Sequence, residues 1–85
     1  MELDSIFRAA MNILFSSHAY LRMLQRNIDE TEVEQAIRYP DRRDFVIRNR
    51  QIVYKRLYDK IIQIVYTVED GIIVVITVIL YAEKS

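Results

Sequence analysis

The 85-residue sequence contains no cysteine, one histidine, one glycine and one proline, and its 12 basic and 12 acidic side chains cancel. Without cysteine there is no disulfide framework, no thiolate zinc site and no cysteine nucleophile. One histidine rules out a His-cluster metal site. One glycine rules out the phosphate-cradling and dinucleotide-binding loops, which need several. Zero net charge leaves no whole-molecule field to draw in nucleic acid or membrane. The longest apolar run, Ile72 to Ala82, is interrupted by Thr77 and reaches about half the length that spans a bilayer. The opening Met1-Glu2-Leu3-Asp4 is acidic where a secretory signal is basic, so a cytoplasmic location is expected. What the chain does have is an apolar content of 52%, enough for one packed core. At this length a second core is excluded. The expectation is a single domain over residues 1–85, with helices at about 5–38 and a sheet at about 44–81.

The first half of the chain has helical period. Ile6, Ala9, Ala10, Ile13 and Leu14 fall at i, i+3, i+4, i+7 and i+8, with Asp4 or Ser5 as cap, and predict a first helix. A second helix starts at Ser16 or Ser17 and runs through Arg26, after which Asn27 tolerates the left-handed conformation of a helix end. The third start is the clearest. Asp29 caps, Glu32 stands at the capping-box position, and Ile28 staples onto Val33. Val33, Ala36 and Ile37 face inward until Pro40 stops the helix.

Strand period takes over beyond Phe45. Candidate strands are Asp44–Arg48, Gln51–Tyr58, Ile61–Val68 and Ile72–Tyr81, separated by Asn49-Arg50, Asp59-Lys60 and Glu69-Asp70-Gly71. Breaks this short make hairpins, so the expected sheet is a four-stranded antiparallel meander, and the class is α+β with two to three helices on one face. The last strand is apolar on both faces, which suits a central strand or a homodimer seam.

Local charge is uneven. Residues 1–37 carry a net −3, residues 38–56 a net +5, and residues 57–85 a net −2. A basic sheet on a neutral chain fits a small anionic site better than a long nucleic-acid track. On that sheet Tyr54 and Arg56 share a strand face, Arg48 lies one hairpin away, and Tyr66 and Tyr81 come from later strands. Arginine with tyrosine can clamp phosphate and stack on a base. Tyrosine is equally a plain strand residue, and arginine blunts exposed strand edges. Asp29, Glu30, Glu32 and Glu34 are explained by capping and the helix dipole rather than by a metal. No serine stands in a nucleophile elbow.

The stretch Ser16-Ser17-His18-Ala19-Tyr20-Leu21-Arg22-Met23-Leu24-Gln25-Arg26-Asn27-Ile28 resembles the signature of the small bacterial and archaeal DUF4258 family, Ser/Thr-x-His-Ala-x-x-Arg-Met-x-x-Arg-Gly-Ile. The match falls on Ser16, His18, Ala19, Arg22, Met23, Arg26 and Ile28, and continues loosely through Tyr54, Val65-Tyr66 and Val75-Ile76-Thr77-Val78. Asn27 stands where the family has glycine, and asparagine also tolerates positive φ. The resemblance implies a fold like that of the RelE and BrnT toxins, which cleave RNA without metal. No cofactor is expected, and a cognate antitoxin, if present, would cover the basic face or add a strand to the sheet edge.

His18, Arg22 and Arg26, at i, i+4 and i+8, form one stripe along the second helix. Cleaving RNA through its own 2′-hydroxyl needs a base, cations on the phosphate and an acid for the leaving oxygen. His18 can act as base or acid, and two guanidiniums can fork onto phosphate oxygens. The same stripe reads equally as a structural network, its arginines paired with Glu30, Glu32 and Glu34. The leading expectation is a toxin-like, metal-independent ribonuclease, with His18, Arg22, Arg26 and Tyr81 as catalytic groups and Arg48, Tyr54, Arg56 and Tyr66 as RNA-binding groups. The alternative is a non-catalytic protein- or RNA-binding module using the same sheet.

Overall fold

A computed structural model describes residues 12–44, 48–58 and 60–83. Its element order is β1 (Asn12–Phe15), α1 (Ser17–Arg26), α2 (Glu30–Arg38), β2 (Arg42–Asp44), β3 (Arg50–Leu57), β4 (Lys60–Glu69) and β5 (Ile72–Glu83). The class is α+β, with two helices among the described residues. The sheet has five strands in the order β1-β5-β4-β3-β2 and is mixed, which corrects the expected four-stranded antiparallel meander. β2 through β5 are antiparallel neighbours in sequence order, as the short breaks require. The fifth strand, β1, runs parallel to β5, with Asn12 beside Ile72 and Phe15 beside Val75.

β1 also corrects the first expected helix. Ile13 and Leu14, read above as helical, lie in this strand, while Ile6, Ala9 and Ala10 lie outside the described residues. Ile13 and Phe15 pack towards the core and Asn12 and Leu14 point away, an alternation that fits period two. Pairing with a strand some sixty residues later decides between the two periods, and local pattern cannot see it. The first expected strand, Asp44–Arg48, begins earlier, and its residues 45–47 lie outside the described residues. Residues 42–44 pair with β3, and Arg48 and Asn49, both at positive φ (59° and 68°), form the turn before β3. The β4–β5 hairpin turns on Asp70 and Gly71 (φ 54° and 77°), as a two-residue primed turn demands.

The helices form where their caps dictate. Ser16 accepts from the Ala19 amide at 3.0 Å to start α1, and Asn27 ends it at φ 58°. Asp29 and Glu32 form a reciprocal capping box at the start of α2 (2.8 and 3.1 Å). α1 packs mainly on β5, and α2 on β3 and β4. Ala19, Met23, Ile28, Val33, Ala36 and Ile37 from the helical half meet Val53, Ile62, Ile64, Tyr66, Val75 and Val78 of the sheet in one core.

Two bulges shape β5. Opposite Val65 and Tyr66 the register steps from Thr77 to Val75, so Ile76 has no partner; opposite Ile61 and Ile62 it steps from Ala82 to Leu80, leaving Tyr81 unmatched. The first bulge lets Val75 and Val78, three residues apart, both sit fully buried on the helix side. It also frees the Ile76 carbonyl, which accepts the Ser16 hydroxyl at 2.8 Å, while the Ser16 amide donates to the Val75 carbonyl at 2.9 Å. One serine thus joins the start of α1 to the bend in β5.

Candidate functional site

The sheet separates two groups of candidate residues. Val53 is buried against the helices, so its neighbours Ile52 and Tyr54 point to the opposite face, which no described helix covers. On the helix side Lys55 donates to the Tyr39 carbonyl (2.8 Å) and Lys60 approaches Glu32 (3.8 Å), tying the sheet to α2 and its start.

The stripe His18, Arg22 and Arg26 lies on α1, on the helix side. The fixed start at Ser16 sets its position over β5. His18 and Arg26 are exposed, and Arg22 is half-buried beside Ala19 and Met23. None of the three makes a hydrogen bond or ion pair among the described residues. The expected acidic partners are engaged elsewhere: Glu34 accepts from Arg38 (3.1 Å), and Glu32 serves the capping box and Lys60. Glu30 makes no ion pair among the described residues. Three groups able to hold phosphate or move a proton therefore lie along α1 with no charge partner among the described residues.

The second group lies on the uncovered face, where β2, β3, β4 and β5 meet. Arg42 donates to both oxygens of Asp44 (3.3 and 3.2 Å) and lies 4.6 Å above the Tyr54 ring. The Tyr54 hydroxyl donates to Asp44 Oδ2 at 3.2 Å and accepts from Gln63 Nε2 at 2.8 Å. Tyr81 meets the Tyr54 ring edge-on, 5.0 Å between centroids. The bulge at Ile76 shifts the alternation of β5 by one residue, so that Tyr81, two residues beyond Ile79, falls on this face. Hydrogen bonding from Arg42 holds the Asp44 carboxyl below the usual carboxylate range, with the guanidinium charge and Tyr54 adding to it against some loss of hydration. The same hydrogen bond and charge raise the Arg42 guanidinium. Beside this network a cleft of about 210 Å³ opens between Arg42, Tyr54, Arg56, Ile61 and Tyr81. Arg56 is exposed; its amide donates to Asp41 (2.7 Å), and its guanidinium has no partner among the described residues. Two aromatic rings and a free cation are thus set around a small apolar hollow.

Of the expected site residues, Tyr54, Arg56 and Tyr81 come together on this face. Tyr66 does not join them: it is 5% exposed on the helix side, and its hydroxyl accepts from Arg43 at 3.1 Å. Arg48 lies in the turn before β3, at the other end of that strand from Arg56. His18, Arg22 and Arg26 are on the opposite side of the sheet from Tyr81. Sequence reasoning missed Arg42, Asp44 and Gln63. Arg42 and Asp44 do stand two apart, as residues of one strand face must, but only the register with Tyr54 gives that spacing a meaning.

Among the described residues no three His, Asp or Glu side chains gather to hold a metal ion, and no helix is long and apolar enough to cross a membrane. Compared with known proteins, residues 15–80 match the model of a family described as a domain of unknown function, DUF4258. No curated protein and no solved structure gives a match.

Proposed function

The chain belongs to the DUF4258 family, and we propose that it is a toxin-type ribonuclease that needs no metal and works through the stripe on α1. The observation that carries this reading is the uncompensated run of His18, Arg22 and Arg26 along one side of a helix fixed at its start by Ser16. In the proposed reaction His18 takes the proton of an RNA 2′-hydroxyl, whose oxygen attacks the adjacent phosphorus. The bond to the 5′-oxygen breaks, a 2′,3′-cyclic phosphate forms, and the leaving oxygen collects a proton from solvent. Arg22 and Arg26 hold the non-bridging oxygens as charge gathers on them. Tyr81, on the far side of the sheet, takes no part in proton transfer here. A cytoplasmic toxin of this kind would be held by a cognate antitoxin protein.

A second reading is favoured by the cluster on the other face: a non-catalytic RNA-binding module in which Tyr54 and Tyr81 stack on an unpaired base and Arg56 takes its phosphate. One experiment separates the two. Purified protein is incubated with mixed RNA in EDTA, wild type beside His18→Ala, Arg22→Ala and Tyr81→Ala, with thermal melting as the check on folding. The ribonuclease reading requires cleavage by the wild type that is lost in His18→Ala and Arg22→Ala. Binding without cleavage, lost only in Tyr81→Ala, overturns it in favour of the module.

A further inference from the structure

A further cleft of about 540 Å³ belongs to neither group. It lies between α1, the start of α2 and the β3–β4 hairpin. Tyr20, Met23, Leu24 and Asn27, at i, i+3, i+4 and i+7, supply one wall, and Tyr58 stands opposite. Met23 and Ile28 are buried beneath, while Tyr20, Leu24 and Tyr58 are large apolar side chains left in solvent. The rim is acidic. Asp29 and Glu30 are both exposed, and the one lysine there, Lys60, is occupied by Glu32 and the Asn27 carbonyl.

Tyr58 adds an independent sign. It is 91% exposed at the hairpin tip and holds φ at 56°, a left-handed conformation that suits Asn, Asp or Gly and penalises an aromatic residue. The turn gains nothing from tyrosine. Strain retained at an exposed position points to a role outside the fold.

We propose that this cleft docks a segment of a partner protein that carries apolar side chains together with lysine or arginine. The apolar walls take the first and the Asp29–Glu30 rim takes the second. The chain's own residues 1–11 fit poorly, because Glu2 and Asp4 outweigh Arg8 and meet a rim of like sign. RNA is repelled by the same rim, so the inference stands apart from the ribonuclease reading. The cationic stripe on the other flank of α1 would repel a basic segment and direct it to the cleft.

The test is to pan a random dodecapeptide library displayed on phage against the full chain, then to measure selected peptides by fluorescence anisotropy. The expected winners combine apolar residues with lysine or arginine. Their affinity falls at least about tenfold with Leu24→Glu and with Tyr58→Asn, as for central anchors of an interface. It falls with Glu30→Lys as well, more steeply at low salt than at high. Tyr58→Asn is the sharpest variant, since asparagine relaxes the turn and thermal stability should hold or rise while binding is lost. Failure to enrich any peptide, a consensus rich in Asp or Glu, or affinity untouched by Leu24→Glu and Tyr58→Asn overturns the proposal. So does a wild-type dimer in solution that Leu24→Glu dissociates, because a second copy would then be the occupant.

Discussion

The two faces of the sheet are built from the same kinds of residue and put to different uses. On the helix side Val53, Ile62, Ile64, Val75 and Val78 are fully buried. On the other face Ile52, Val65, Ile72 and Val74 are only half-buried, and Ile79 is exposed. Residue type does not distinguish the sides; what packs over them does. Polar groups follow the same division. On the helix side Lys55 and Lys60 fasten the sheet to the helical segment, whereas on the uncovered face Arg42, Asp44, Tyr54 and Gln63 fasten one another. The first arrangement serves the fold, and the second leaves a finished hollow beside Arg56 and Tyr81.

The largest expected effect tests this division directly. Ile64→Ala should cost about 2–5 kcal/mol of unfolding free energy, because a fully buried isoleucine leaves a cavity. Ile52→Ala, on the half-buried face, should cost about 1 kcal/mol. Urea denaturation of both variants gives the comparison, and equal losses would mean that the second face is covered as tightly as the first. Next comes Ser16→Ala, which removes the α1 cap and leaves the Ile76 carbonyl without its donor, at about 1–2 kcal/mol.

Smaller still is Tyr54→Phe, which keeps the ring under Arg42 and loses the bonds to Asp44 and Gln63, at about 0.5–1.5 kcal/mol by thermal or urea melting. Arg22→Ala should stay within about 0.5 kcal/mol, since nothing among the described residues binds its guanidinium. A loss as large as that of Ser16→Ala would make the stripe structural after all. The last effect is one of pH. Arg42 lowers the folded-state pKa of Asp44, so the stabilisation from that pair is complete above the unfolded aspartate value of about 3.9 and fades as pH falls through the lower, folded value. In an NMR titration, the midpoint at which Tyr54 ring signals move should lie below the ordinary aspartate value. Asp44 titrating at an ordinary value would dissolve the network as drawn.

Much of this fold is legible in the sequence wherever the cause is local. Ser16, Asn27, Asp29 and Glu32 mark helix ends with their own side chains, and Asp70-Gly71 marks its hairpin in the same way. β1 escapes because four residues cannot show whether they follow period two or 3.6, and the partner that decides stands at Ile72–Val75. The sites divide on the same line. The stripe on α1 follows from helix periodicity alone. The union of Tyr54 with Tyr81 needs a bulge that alternation does not announce, and the burial of Tyr66 needs to know which side the helices take.

The parallel pairing of β1 with β5 also bears on how the chain is made. A ribosome delivers β1 and both helices first, yet the strand that β1 pairs with, and on which α1 mainly rests, is the last of the described strands to be synthesised. Until then Met23, Ala19 and Phe15 have no β5 to pack against. Contacts of such long sequence separation also close slowly. Newly made copies therefore pass through a stage with sticky helices and an incomplete sheet, when chaperones and proteases have their best opportunity to act on them.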